Sequence, residues 1–272
     1  MPPALAPAAP RDTYLHRCVH AQVVQTKQLT PDLKRVTIAA DELRRFPWHG
    51  PDQWFRLFLP REGQLRPVLP TRADDWWPQI VAMPDEIRPW VRNYTVRYLR
   101  PELGELDIDF VLHGDVGPAS TWALRAEAGD WVGLLDQTAP YDPPAGTRWQ
   151  LLVGDETALP AISAIVENLP DGADAQVFVE MPTADDRVSL SAPDGVRVTW
   201  LPRESSDVTI GSLVMDAVRE ATLGAPGEGY AWVAGESGLI RQVRRHLVSR
   251  RGMPKSAVYF CGYWRIGVNY AS

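Results

Sequence analysis

The chain has 272 residues, 45% of them hydrophobic and 23% charged, with a formal net charge of −6. That length suits one large or two medium domains, and the composition is that of an ordinary soluble globular protein. The acidic balance excludes a global basic field for nucleic acid or an acidic membrane, so an anionic ligand must be met by a local basic patch.

Met1 to Pro10 is rich in Pro and Ala, lacks the basic start of a secretory signal and reads as a disordered tail. From Tyr14 to about Asp136 the predicted elements are short. Val19 to Thr26 and Leu33 to Ala40 alternate around the turn-like Leu29-Thr-Pro-Asp32. Gln53 to Leu59, Arg92 to Leu99, Glu105 to Leu112 and Trp131 to Leu135 follow. Six short strands at irregular spacing fit an antiparallel barrel. The connection from Pro60 to Pro89 is too long to be a simple loop, holds Trp76 and Trp77, and carries a predicted short helix over 73–83. A second helix is predicted from Pro118 to Glu127, with Pro near its start and Gly129 after its end.

The second half changes character. Trp149 to Gly154, Ala175 to Glu180, Val196 to Leu201, Tyr230 to Gly235 and Ala257 to Gly262 read as strands. Thr157 to Leu169, Asp207 to Leu223 and Ser237 to Arg250 read as helices. Strands alternating with helices indicate a doubly wound parallel sheet. The linker-like Tyr141-Asp-Pro-Pro-Ala-Gly146 separates a barrel domain over 14–143 from an α/β domain over 147–272. The two cysteines, Cys18 and Cys261, form no disulfide framework, and no Cys/His spacing resembles a metal site. No segment has the roughly 18 apolar residues that span a bilayer, so the cytoplasm is the expected location.

Four stretches carry chemistry. Arg92-Asn-Tyr-Thr-Val-Arg97 is a strand with unusual polar content. A guanidinium can grip a phosphate with two parallel hydrogen bonds, and a tyrosine offers a flat ring and a hydroxyl. Arg92, Tyr94 and Thr95 can therefore hold a ring system and its phosphate tail; an edge strand with solvated arginines accounts for the hexapeptide equally well. In His113-Gly-Asp-Val-Gly-Pro-Ala-Ser-Thr-Trp122, Gly117 and Pro118 turn the chain into a helix whose start suits a phosphate. Ser120 or Thr121 can also be a plain helix cap. Gly154-Asp-Glu-Thr-Ala-Leu-Pro-Ala-Ile162 and Trp232-Val-Ala-Gly-Glu-Ser237 each end a strand in Gly at a helix start. Neither is Gly-x-Gly-x-x-Gly. Each nevertheless puts a helix N-terminus at the carboxyl end of a strand, where such sheets bind ligands. Asp155, Glu156 and Glu236 can also be ordinary helix-start acids.

Taken in this order, with a terminal Gly262-Tyr-Trp-Arg-Ile-Gly267, the motifs resemble the siderophore-interacting protein family over about residues 14 to 268. These are flavin-dependent ferric-siderophore reductases of the ferredoxin-reductase-like superfamily. The resemblance implies FAD on the barrel, NADH or NADPH on the α/β domain, and Fe(III) in a siderophore as acceptor. It implies that Arg92, Tyr94 and Thr95 hold the isoalloxazine and phosphate, with His113, Gly117, Ala119, Ser120 and Thr121 along the rest of FAD. Asp155, Glu156, Thr157, Ala234, Gly235 and Glu236 would line the nicotinamide nucleotide. Arg56, where the family usually has lysine, and Arg265 would clamp an anionic siderophore, with Trp76, Trp77 and Trp264 either stacked on catecholate rings or packed in the core. Asp136-Gln-Thr-Ala-Pro140 lacks the base that the family often carries before the linker. No protein ligand to iron, no nucleic acid, no membrane and a monomer are expected. Two alternatives remain open at this point: a flavoprotein reductase serving another acceptor, and a siderophore carrier that has lost its flavin. On the nucleotide, Glu180 favours NADH, whereas Arg203 and Arg187 favour NADPH.

Overall fold

Residues 17–112 and 117–268 are described by the computed structural model. His113 lies outside them, as does the expected N-terminal tail. The chain divides into two units. One takes in the residues through Gln28 and then Leu33–Ala139, the other Leu29–Asp32 and Pro140 onward.

The first unit is a seven-stranded antiparallel sheet: β1 (Val19–Thr30), β2 (Leu33–Ala39), β3 (Trp54–Leu59), β4 (Trp90–Thr95), β5 (Tyr98–Arg100), β6 (Glu105–Val111) and β7 (Trp131–Asp136). Its order is β4-β3-β7-β1-β2-β6-β5. Alternate residues turn inward, so Val19, Ala21, Val23, Phe55, Leu57, Ile108 and Leu134 meet in one core. One expected strand, 92–99, is two. The edges β4 and β5 are consecutive in the chain, and between them the backbone changes partner. Val96 N–H donates to Gln53 on the β3 side and Arg97 N–H to Asp107 on the β6 side. The chain thereby links the two ends of the sheet order, as in a closing barrel. Charge secures the seam. Arg35 grips Asp109 with two bonds of 2.7 and 2.8 Å, the buried Arg97 lies 3.5 Å from the same carboxylate, and Arg100 bonds Asp107 and Glu105.

The long connection between β3 and β4 carries α1 (Trp76–Ala82). It builds a satellite core of Phe58, Ile80 and Leu135, with Leu69 and Trp76 against it. Gly133 makes room here for the tip of the Leu69 side chain, which a Cβ at that position would displace. Helix α2 (Pro118–Arg125) packs Ala119 and Ala123 into the main core.

In the second unit all five strands are parallel: β8 (Trp149–Gly154), β9 (Ala175–Met181), β10 (Val196–Pro202), β11 (Gly229–Glu236) and β12 (Val258–Trp264). The helices are α3 (Leu159–Glu167), α4 (Ser212–Glu220) and α5 (Ser237–Ser249). The order β10-β9-β8-β11-β12 is doubly wound, and the chain reverses its outward march between β8 and β11. Every residue of β11 is buried, as a strand covered on both faces demands. Two helices start later than expected. The first is preceded by a 3-10 turn over Glu156–Ala158. In the second, the β-branched run Val208-Thr-Ile210 and Gly211 at φ +87° delay α4 to Ser212.

Candidate flavin and nucleotide site

Strand register decides which side chains of β4 can work together. Tyr94 lies opposite Phe55 and Arg92 opposite Leu57, so both share the inward face with those two core residues. Asn93 lies opposite Arg56 and Thr95 opposite Trp54, on the other face. Arg92 and Tyr94 thus come together, and Thr95 faces away from them. The Tyr94 ring sits 4.4 Å from Phe110, which sits 5.5 Å from Trp122 of α2. One line of rings therefore ties β4 to the helix. Burial pushes the Tyr94 phenol up, against the pull of Arg92, and it stays neutral; burial also lowers the pKa of the Arg92 guanidinium.

Helix α2 begins as its sequence indicates. Gly117 takes φ +86° at the N-cap, Pro118 fills the first helical position, and Thr121 N–H donates back to Gly117. Ala119 and Ser120 are buried and Thr121 half-buried. A partly buried guanidinium, a neutral phenol, a helix start and two hydroxyls form a donor set suited to a dinucleotide of flavin type.

Arg56 is on the other face of the same strand pair. Its guanidinium lies over Trp76 at 4.3 Å and near Trp54 at 5.1 Å, while Nη1 donates to Asn93 Oδ1 at 3.1 Å. Two indoles thus fix its plane. Burial lowers its pKa, and its buried Nε has no partner. Trp77 is exposed beside Trp76. At the end of β7 an acid is built into the protein. Asp136 is buried, accepts from Gln53 Nε2 and pairs with His49, each at 2.8 Å. Burial raises its pKa, while His49 and Gln53 pull it down.

In the second unit, the three acids singled out by sequence are all spent on protein groups. Asp155, at the end of β8, is fully buried. It accepts from Thr157 N–H (2.9 Å) and its hydroxyl, from Glu236 N–H (2.7 Å) and from the Trp264 indole (2.9 Å). Gly235, at φ +134°, is needed beside it, since a Cβ there would sit 2.6 Å from Asp155 Oδ2. Glu236 caps α5 by accepting from Gly238 and Leu239 N–H. Glu156 takes two bonds from Arg203, at 3.0 and 3.2 Å. Arg203 also bonds Glu180, which is fully buried and accepts from Gly211 and Val214 N–H at the start of α4. Arg203 is thus shared by Glu156 and Glu180, and since Glu180 and Arg203 are both engaged with protein groups, neither argues for NADH or NADPH; Arg187 is exposed. Thr157 is half-buried and Ala234 buried, both at the reversal point between β8 and β11. Arg265 is exposed at the end of β12.

Sequence reasoning missed the Arg203 pairing, the Trp264 to Asp155 bond and the His49–Asp136–Gln53 group. Each links residues at least 23 positions apart, apart from the local His49 to Gln53 bond.

Two family models match the chain in sequence. Residues 22–141 match a siderophore-interacting FAD-binding domain, and residues 147–267 match a siderophore-interacting protein. The chain belongs to the siderophore-interacting protein family. Among its relatives is the ferric vibriobactin reductase ViuB of Vibrio cholerae, 32% identical over 249 residues that cover 90% of this chain and 89% of that one. The siderophore-interacting protein SipS from Aeromonas hydrophila superposes with a TM-score of 0.79 at 32% identity, covering 93% and 94% of the two chains. A siderophore utilization protein from T. fusca gives 0.83 at 30%, covering 96% and 97%. FAD is thus the flavin that a family member of this kind carries on the antiparallel unit, where Arg92, Tyr94 and the start of α2 provide a fitting donor set.

Proposed function

We propose that this family member is a ferric-siderophore reductase. It takes electrons from NADH or NADPH through FAD to Fe(III) in a siderophore, and acts in the cytoplasm as a monomer. Ferrous iron carries less charge and is held less tightly by hard oxygen ligands, so the chelate then releases it. The observation that carries this reading is membership in the family over residues 22–141 and 147–267 together with the intact Arg92 and Tyr94 pair, tied through Phe110 to α2.

When bound, FAD supplies the exchange between a two-electron hydride donor and one-electron iron. The protein's part is binding and electrostatics. Arg92 and the first turn of α2, with Gly117, Ala119, Ser120 and Thr121, would hold its phosphates, and Tyr94 its ring system; Thr95, whose side chain is on the other face of β4, would take part only through its backbone, and His113 is assigned to the same cofactor. Asp155, Glu156, Thr157, Ala234, Gly235 and Glu236 would frame the nicotinamide nucleotide at the strand-order reversal of the parallel sheet. Because Asp155, Glu156 and Glu236 are hydrogen-bonded to protein groups, their part is to hold the backbone that meets the nucleotide. Arg56 and Arg265 would attract the anionic chelate, which an acidic protein repels at long range.

The test is direct. The purified protein should be yellow and reduce a ferric tris-catecholate with NADH or NADPH. Replacing Arg56 and Arg265 together by Ala should raise KM for that substrate and flatten its salt dependence, since surface attraction is screened over roughly 10 Å at 0.1 M salt. A cationic ferric hydroxamate should be affected much less. A colourless protein that takes up no FAD would refute the reading; a double variant that reduces both chelates like the parent would show only that Arg56 and Arg265 are not the clamp.

A further inference from the structure

The segment that presents Arg265 is held on both sides by groups from the reversal point of the sheet. On its N-terminal side, Trp264 is bound twice. Its indole N–H donates to the buried Asp155 at 2.9 Å, and its carbonyl accepts from the Ser237 hydroxyl at 2.8 Å. On its C-terminal side, Ile266 N–H points to Glu236 Oε1 at 3.4 Å. Asp155 directly follows β8, and Glu236 and Ser237 join β11 to α5, so three adjoining elements converge on three consecutive residues. Gly262, just upstream, admits the Ser237 side chain, since a Cβ there would sit 2.5 Å from Ser237 Oγ. Residues 265–268 are exposed. Beyond the strand, the ordering of this stretch therefore comes from polar tethers and not from apolar burial.

We infer that Asp155, Ser237 and Glu236 are positioning residues for Arg265: by anchoring Trp264 and Ile266, they fix the arginine's backbone for an anionic ferric chelate. The inference rests on the reading of Arg265 as a substrate contact. It goes beyond that reading by giving two acids of the nucleotide-binding edge a second task on the iron side of the reaction. An arginine on a pre-ordered backbone gives up less conformational freedom when it binds.

The test uses the FAD-loaded protein and separates its half-reactions by stopped flow. Trp264→Phe keeps an aromatic ring but removes the N–H donor together with the pyrrole part of the indole; Ser237→Ala removes the second tether and leaves the indole intact. In the oxidative half-reaction, a ferric tris-catecholate reoxidises the chemically reduced protein. There Trp264→Phe should raise the apparent KM about three- to tenfold, the loss expected when the ordering of about one side chain is no longer supplied in advance. Its limiting rate should stay within about twofold of the parent's, and flavin reduction by NADH or NADPH should be unchanged. Ser237→Ala should act in the same direction, and it decides the question if Trp264→Phe does not fold. In an Arg265→Ala background neither change should add anything. If Arg265→Ala raises KM but both tether variants behave like the parent, or their effects persist without Arg265, the positioning inference is overturned and the substrate role of Arg265 stands. If Arg265→Ala itself leaves KM unchanged, the substrate role fails and the inference falls with it.

Discussion

Asp155 sets a stability slope that a single substitution should remove. Burial, joined by the neighbouring charge of Glu156, pushes its pKa up to about 6. Bonds from Thr157, Trp264 and Glu236 pull the other way without restoring the ordinary value. In the unfolded chain the same carboxyl titrates near ~3.9. Between these values the folded protein holds a proton that the unfolded chain has released. Stability from this group is therefore greatest below about pH 4, falls as pH rises toward 6, and is level above that. Two pH units at about 1.4 kcal/mol each give a loss of about 3 kcal/mol. Asp155→Asn cannot titrate, and the other carboxyls are common to both proteins, so the difference between parent and variant isolates this one. Urea unfolding of both, in half-unit steps from pH 4 to 7.5, should show the parent's relative stability dropping by about that amount and then levelling. The Asp155 carboxyl should titrate near 6 by carbon NMR. A flat difference, a difference that rises with pH, or a carboxyl titrating below 4 would refute the reasoning, because the four donors would then outweigh burial.

Arg92→Ala removes a charge-assisted phosphate contact worth about 1.5–3 kcal/mol, so FAD should bind roughly 10- to 150-fold more weakly, with the fold retained by circular dichroism. Full FAD occupancy after dialysis would show that Arg92 does not hold the cofactor. Arg203→Met leaves two buried carboxylates, Glu156 and Glu180, without their cation. Unfolding measurements should give a loss of about 3–5 kcal/mol, with no switch between NADH and NADPH in the protein that still folds. Gly235→Ala meets both a left-handed φ and the Asp155 carboxylate, and should lower stability by at least ~1–3 kcal/mol; a Tm equal to the parent's would contradict that geometry.

The class of each half was legible because local signals carried it. Apolar runs ending in Gly marked β8 and β11, and Pro118 with Gly117 marked the start of α2. The capping roles of Asp155 and Glu236 were also within reach, since each carboxylate accepts from a backbone N–H two or three residues on. What was not legible is partner choice at long range. Tyr94-Thr-Val-Arg-Tyr-Leu99 is an unbroken run of strand formers, and nothing local says that it leaves β3 for β6 midway. That switch decides the fates of two arginines that look equivalent in sequence. Arg92 precedes the switch, opposite Leu57, and its partly buried guanidinium lies at the inward face beside Tyr94. Arg97 follows the switch, lies over the Tyr98 ring and is committed to Asp109, an acid supplied by β6. Arg56 and Asn93 differ from Arg92 by parity alone, since adjacent positions on a strand face opposite sides. A motif on a strand thus specifies which residue types are present. Pairing and parity determine which of them a ligand can meet, and both are set by residues elsewhere in the chain.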